Sequence, residues 1–387
     1  MKKEIGEYIK ILSGYPFNSD LFNEENIGKP LIRIRDLERS YSKTYFNGEY
    51  EKTYVISQGD ILVGMDGDFN AVKWKGIDSL LNQRICKIKT EENILDKEFM
   101  YQSLQSELNK IHRKTAATTV KHLSTKDIKK IKIFFPPLEE QKKIADILST
   151  VDKKIAFVEE NINATEELKK GLMQKLLTEG IGHTEFKDSE LGRIPESWEV
   201  VQIKQLGTVV TGSTPKTANK EFYENGTRLW ASPSDLGKSK EIKNTATKLS
   251  NLGFEQTRIL PARSILVTCI GSTIGKIGIA YEEMSTNQQI NSVVCNEKNN
   301  SDFYYYVLDH QKEYIKKLAG TQAVPLLNKT DFSMIKVIQA PLEEQKQIAE
   351  ILSTVDKKIE NLKEKKLSFE ELKKGLMKKL LTAEVRV

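Results

Sequence analysis

PLEEQKKIADILSTVDKKI at 137–155, closed by EELKKGLMQKLLT at 166–178, returns 204 positions later as PLEEQKQIAEILSTVDKKI at 341–359 and EELKKGLMKKLLT at 370–382. Aligned without a gap, 30 of these 42 positions are identical. The identities lie at the two ends, because the central stretches 156–165 and 360–369 share a single match. A repeat of this length dictates the architecture. Two equivalent scaffolds carry two preceding segments that have diverged, as two readers on one frame would.

Both copies read as long helices. Ile144, Leu148, Val151, Ile155, Val158 and Ile162 recur at alternating spacings of four and three. Ile348, Leu352, Val355, Ile359, Leu362, Phe369 and Leu376 do the same, with Lys366 interrupting the run. That is the narrow apolar seam of a coiled coil. Pro137 and Pro341 suit a first helical turn, and the acidic pairs that follow them lie at the positive end of the helix dipole. At 1.5 Å per residue, an unbroken helix of this size spans roughly 60 Å. Gly171 and Gly375 occupy the same place in LKKGLM, where glycine costs about 1 kcal/mol relative to alanine. They predict a close helix approach, either to each other or to a partner; the competing reading is a tolerated kink. The seam residues Leu148, Val151 and Ile155, with Leu352, Val355 and Ile359, predict antiparallel pairing of the two helices, and these helices with their glycines form the candidate partner-binding surface. Burial of each seam against its own domain is the alternative.

Segments 1–136 and 197–340 resemble each other weakly. Ile61-Leu62-Val63 matches Ile265-Leu266-Val267, and Asp127, Ile131 and Lys132 match Asp331, Ile335 and Lys336 at the same offset. Asn82-Gln83 faces Asn287-Gln288 at an offset of 205. Short β-branched runs at 31–34, 61–63, 85–88, 265–268 and 277–280 predict strands. The fold class is therefore α+β: two mixed α/β domains of one fold, each followed by a long helix, in a pseudo-twofold arrangement. The predicted divisions are 1–136, helix 137–180, a glycine-containing polar linker 181–196, 197–340 and helix 341–387.

Composition narrows the class. No apolar run has the length to span a membrane, and the opening MKKEIGEYIK lacks the apolar core of a signal peptide. Cys86, Cys269 and Cys295 stand far apart and odd in number, which suits reduced thiols in a cytoplasmic protein. The four histidines make no ligand cluster. Gly271-Ser-Thr-Ile-Gly275-Lys276 has one residue too few between its glycines for a phosphate loop and no hydroxyl residue after the lysine. Asp235 with Glu241 and Lys243 is a weak shadow of a metal-nuclease cluster. No Asn-Pro-Pro-aromatic tetrapeptide of amino-methyltransferases occurs, so no catalytic residue, metal site or cofactor is assigned.

What remains suits nucleic acid, and the net charge of +6 permits a polyanion. Between Lys110 and Lys132 lie eight Lys/Arg against one acid, Asp127. Lys114, Lys121 and His122 in this strip are candidate phosphate contacts, a solvated basic face being the alternative. Arg33 and Arg35 are placed on one face of a strand as guanine readers, or else pair with Asp36 or Glu38. Thr211, Ser213, Thr214 and Lys216 form a hydroxyl-rich loop able to hold a phosphate through backbone N–H groups, unless it is an ordinary turn. Ser272, Thr273 and Lys276, with Asn287 and Gln288, supply further polar groups, the amides suiting adenine edges or the stitching of a sheet. Trp74 and Trp230 are expected in the core.

The doubled PLEEQ helices, the ELKKGLM endings, FKDSELGRIPESWEV at 186–200 and TGSTPKT at 211–217 resemble the specificity subunit of type I restriction–modification systems across essentially the whole chain. That resemblance implies two target-recognition domains, each reading one half of a bipartite, asymmetric site in double-stranded DNA. It implies helices that set the unread spacer and dock two modification (methyltransferase) subunits, with restriction subunits, the ATP-dependent translocase and nuclease, as further partners. S-adenosylmethionine and ATP would belong to those partners. One departure from the family's pattern is that the first domain opens directly at Glu4, without an IPESWEV-like lead-in. A silent homologue that sequesters modification subunits is the competing reading; a self-contained nuclease or methyltransferase would need a site the sequence lacks.

Overall fold

A computed structural model describes residues 2–67, 69–114, 122–320 and 325–387. The chain divides into two compact units, Met1–Glu160 with Glu364–Val387, and Asn161–Lys363. Each long helix is therefore shared between them.

In the first unit, Ile9–Ser13, Ile85–Thr90, Ile61–Gly64 and Ala71–Lys73 form an antiparallel four-stranded sheet in that order. Alternation within it serves two cores. Ile61, Val63, Cys86 and Ile88 pack with Phe99, Leu104 and Leu108 of the helix Lys97–Lys114. Leu62 and Ile85 point the other way, onto Ile32, Ile56, Trp74 and Leu81. The second layer is a five-stranded sheet ordered Phe22–Asn23, Tyr45–Phe46, Lys29–Ile32, Ser79–Leu81 and Val55–Ile56. The 31–34 run predicted as strand is only partly so: the strand ends at Ile32, and a 3₁₀ turn covers Ile34–Asp36.

The second unit repeats the plan. Gly207–Thr211, Ile290–Cys295, Ile265–Thr268, Ile277–Ala280 and Glu241–Ile242 form one sheet, and Thr247–Leu249, Arg228–Ala231 and Ser285–Thr286 another. Ile265, Val267 and Val293 face the aromatic helix Ser301–His310, while Leu266 and Ile290 face the second sheet. Each domain is closed by an antiparallel strand pair, Lys2–Glu4 with Lys132–Phe134 and Glu199–Gln202 with Lys336–Gln339. The short opening of the first domain thus makes the same pairing as the strand that follows IPESW in the second. The glycine-containing stretch 181–196, read as a linker, carries the hairpin Phe186–Ser189 with Gly192–Pro195, and Ile194 is buried in the core beside Trp198.

The long helices are Leu138–Thr178 and Leu342–Leu380. Ile144, Leu148, Val151, Val158 and Ile162 are buried, as are Ile348, Leu352 and Ile359; Ile155 and Val355 are half-buried. Ion pairs fix the direction of packing. In the first unit Lys366 meets Glu159 at 2.8 Å and Lys373 meets Asp152 at 2.7 Å. In the second, Lys363 meets Glu166 and Lys169 meets Asp356, both at 2.7 Å. Rising numbers on one helix meet falling numbers on the other, so the pair is antiparallel. The identical ends now have a physical reason: the aspartate of each STVDKK faces the first lysine of the other helix's ELKKG. The divergent middles meet through Glu159 on the first helix and Lys366 on the second, while Lys363 reaches Glu166 at the start of the conserved ending. Lys366, which interrupts the seam in sequence, reaches out to Glu159. Gly171 and Gly375 do not serve a close helix–helix approach, since a Cβ added at either would meet nothing within 4 Å.

A buried glutamine joins each domain to its helix. Gln141 accepts from the Asp96 N–H at 2.8 Å and donates to the carbonyls of Ile94 (3.0 Å) and Pro136 (2.9 Å). Gln345 accepts from the Asn300 N–H and donates to the Ala340 carbonyl, both at 2.8 Å. Asp96 and Asn300 in turn accept from Phe99 N and Phe303 N at the start of the domain helices, so one side chain links two helix starts. The second glutamate of PLEEQ holds the segment that follows the other helix. Glu140 accepts two bonds from Arg386, each 2.5 Å. Glu344 accepts from Ile181 N, lies 2.8 Å from His183 Nε2 and accepts from Trp198 Nε1.

Burial pushes the thiols of Cys86 and Cys269 up to about 12 and that of Cys295 to about 11. Since the thiolate is the nucleophile, iodoacetamide at about pH 8 should leave all three unmodified in the folded chain and alkylate them in denaturant. Mass spectrometry reads the difference; rapid native labelling of Cys86 or Cys269 would contradict this packing.

Candidate nucleic-acid interface

In the second domain the hydroxyl loop and the amide turn meet at one edge. The loop after Gly207–Thr211 is held from several sides: Trp230 Nε1 donates to Ser213 O (3.0 Å), Tyr223 Oη to Pro215 O (2.8 Å) and Arg258 Nη1 to Thr211 O (2.7 Å). Thr214 Oγ1 donates to Gln288 Oε1, joining the hydroxyl loop to the amide turn. Thr214, Lys216 and Gln288 are exposed.

Several of these residues hold the fold rather than offer free groups. The Gly212 and Ser213 N–H groups already pair with Ile290 O and Thr286 O, so they are not open to a phosphate. Thr211 Oγ1 donates to Asn291. Asn287 is buried, donating from Nδ2 to Gln289 Oε1 and accepting from Gln289 N; it stitches the turn. Ser272, Thr273 and Lys276 line a neighbouring groove of the second unit with Lys312 and Lys316.

The first domain has an equivalent edge, where Tyr15 N donates to Leu81 O as Ser213 N does to Thr286 O. Here His122 Nδ1 lies 2.5 Å from Asp66 Oδ1, and Arg84 Nε lies 3.5 Å from Asp66 Oδ2. The bridge between Asp66 and His122 recurs in the second domain between Ile270 and Leu326, at the repeat offset of 204. Lys114 ends the helix Lys97–Lys114, and Lys121 lies outside the described residues. Arg33 and Arg35 are not on a strand: Arg33 caps the 3₁₀ turn, its N–H bonding Asp36 Oδ2 and its Nη2 donating to Thr44 Oγ1. Arg35 is exposed. Sequence reasoning passed over Arg84 and Asp66, because nothing in a lone Arg or Asp tells that 56 residues of chain fold back to bring His122 beside them.

The acidic groups of the nuclease-like string serve the fold. Asp235 accepts from Ser232 N, Ser232 Oγ and Ala246 N, and Glu241 pairs with Arg263. Among the described residues no group of three or more His, Cys, Asp or Glu is arranged to hold a metal. Trp74 and Trp230 are buried, as expected.

Lys240 and Arg263 both pair with Asp302 in the second unit. Burial works to raise the Asp302 carboxyl, but hydrogen bonds and charge from Lys240 and Arg263 outweigh it and hold it below the usual range. A depressed carboxylate contributes stability that is present above the unfolded value, about 3.9, and lost as pH falls through the folded one. Asp302→Asn should remove part of the second unit's acid sensitivity below about pH 4; an unchanged acid-melting profile would refute the pairing's role.

Two α/β domains, each clamped to one of two antiparallel helices and bearing different loop chemistry at matching edges, define a scaffold of paired recognition modules. The family model described as the type I restriction modification DNA specificity domain matches residues 1–167 and 195–371, and the chain belongs to that family. The type I restriction enzyme MjaVIII specificity subunit of Methanocaldococcus jannaschii is 30% identical, the match covering 99% of this chain and 92% of the relative. The EcoBI specificity subunit of Escherichia coli is 32% identical over 72% of this chain and 61% of its own length. The crystal structure of a type I S subunit from M. genitalium shares the fold, with a TM-score of 0.66 at 17% identity over 98% of this chain and 96% of that one. No helix among the described residues is long and apolar enough to cross a membrane.

Proposed function

We propose that this chain is the DNA-reading specificity subunit of a cytoplasmic type I restriction–modification complex. Domains 1–136 and 197–340 each read one half of a bipartite, asymmetric site. The helices set the spacer and dock two modification subunits, with restriction subunits joining the assembly. Catalysis, S-adenosylmethionine and ATP belong to those partners. The observation that supports this most is the repeated domain–helix unit, whose identical helix ends pair crosswise while the domain edges differ in chemistry. Arg35, Lys114, Lys121, His122, Lys216 and Gln288 remain the candidate DNA contacts. The exposed helix faces around Gly171 and Gly375 are candidates for docking.

Long-read mapping of methylated adenines tests the reading, in cells expressing the chain with its modification subunit and in cells lacking it. A bipartite motif that disappears with the chain is the expected result. A stable complex without any chain-dependent motif would instead mark a silent, sequestering homologue. Within a reading complex, Lys114→Ala with Lys121→Ala should weaken binding to every sequence alike and lower the salt slope by about two. An unchanged slope would take both lysines out of the interface.

A further inference from the structure

We propose that Arg84 reads a base in the first domain's half-site, and that the base is guanine; this rests on the DNA-reading role proposed above. Arg84 has φ +75°, a left-handed conformation that side-chain-bearing residues avoid unless their surroundings impose it. The surroundings are visible. The Arg84 carbonyl accepts from Met65 N at 2.9 Å. Its Nε faces one oxygen of Asp66 at 3.5 Å, and the other oxygen of Asp66 is held by His122 at 2.5 Å. The side chain is nevertheless 58% exposed, and among the described residues its two terminal nitrogens have no partner.

Strain alone would not make the case. Arg263 is also left-handed, with φ +70°, but its two terminal nitrogens are engaged by Glu241 and Asp302, so its conformation serves the domain's own packing. Arg84 is the contrasting case: a strained, carboxylate-oriented arginine with its fork left open. Two parallel N–H donors match the O6 and N7 acceptors of guanine in the major groove. A phosphate is the poorer partner, because the Asp66 carboxylate beside the guanidinium repels an anion while leaving a neutral base edge acceptable. The second domain lacks this trio. The equivalent bridge joins Ile270 to Leu326, and the neighbouring Gln289 has its amide oxygen bonded to Asn287. The arginine-read position therefore belongs to one half-site only.

The test uses the full chain assembled with its modification subunit. Arg84→Gly removes the side chain and accepts the left-handed backbone, so its melting temperature should not fall; Arg84→Lys keeps the charge and loses the fork. Methylated-adenine mapping of either variant should show one position of one half-site relaxed from guanine, with the other half-site and the spacer unchanged. Competition between duplexes differing at that position should show discrimination reduced by about 10- to 100-fold. A motif unchanged at every position would make Arg84 a structural ion pair and overturn the proposal. Uniform weakening across sequences with a smaller salt slope would make it a phosphate contact, with the same consequence. If the parent complex writes no chain-dependent motif, the DNA-reading role itself fails and this proposal with it; a parental motif that Arg84 variants leave intact fails the proposal alone.

Discussion

Replacing Gln141 with leucine should lower the stability of the first unit by about 3 kcal/mol, the cost of leaving buried hydrogen-bonding groups unpaired. Leucine nearly matches the shape, so packing changes little. The Asp96 N–H and the carbonyls of Ile94 and Pro136 would lose the partner that now serves all three. Gln141 has no exposed surface, and water cannot step in without opening the joint. For a unit of this size the loss corresponds to roughly 6–12 °C in its melting transition, read by scanning calorimetry. Gln345→Leu should act on the second unit, where the Asn300 N–H and the Ala340 carbonyl are at stake. A transition that stays within a degree or so of the parent would show that the glutamine clamps are replaceable decoration.

The second large effect concerns the helices' length. A heptad inserted after Glu160 in the first helix and after Glu364 in the second keeps the seam in phase. It lengthens the pair by about 10 Å. If the helices set the spacing of the half-sites, the unread spacer should grow by about three base pairs, given a rise of about 3.4 Å per pair. The half-site letters should stay as they were. Methylation mapping of the lengthened chain reads both quantities at once. Altered letters with a constant spacer would end the ruler interpretation.

The seam was legible because apolar spacing survives in the sequence whatever covers it; Ile144, Leu148, Val151 and Ile348 are buried where periodicity put them. The strands at 61–63, 265–268 and 277–280 were legible for the same reason, being apolar on both faces. Polar residues were harder. An exposed Gln288 and a buried Asn287 stand side by side in the chain, and only the fold tells the surface amide that meets the Thr214 hydroxyl from the buried one that stitches a turn. Arg33 and Arg35 alternate as a strand would, yet the Asp36 carboxylate pulls the backbone into a 3₁₀ turn. Gly171 and Gly375 invited a close approach, but both lie on exposed helix surface where an added Cβ would meet open space. The crosswise match of Asp152 with Lys373 and Asp356 with Lys169 was present in the repeat, but reading it required knowing that the copies run in opposite directions.

Because the first unit draws on residues 364–387, its completion follows an unusual timetable during protein synthesis. Residues 1–160 leave the ribosome first, yet the core cluster that holds Ile144 and Leu148 is completed only when Leu380 and Leu381 emerge. At typical elongation rates of about 5–20 residues per second, the intervening 161–363 stretch imposes a delay of about 10–40 s. The second unit, contiguous in sequence, can close during that interval. The first unit is thus finished last, and a nascent chain interrupted near its end holds every residue of the second unit but not of the first.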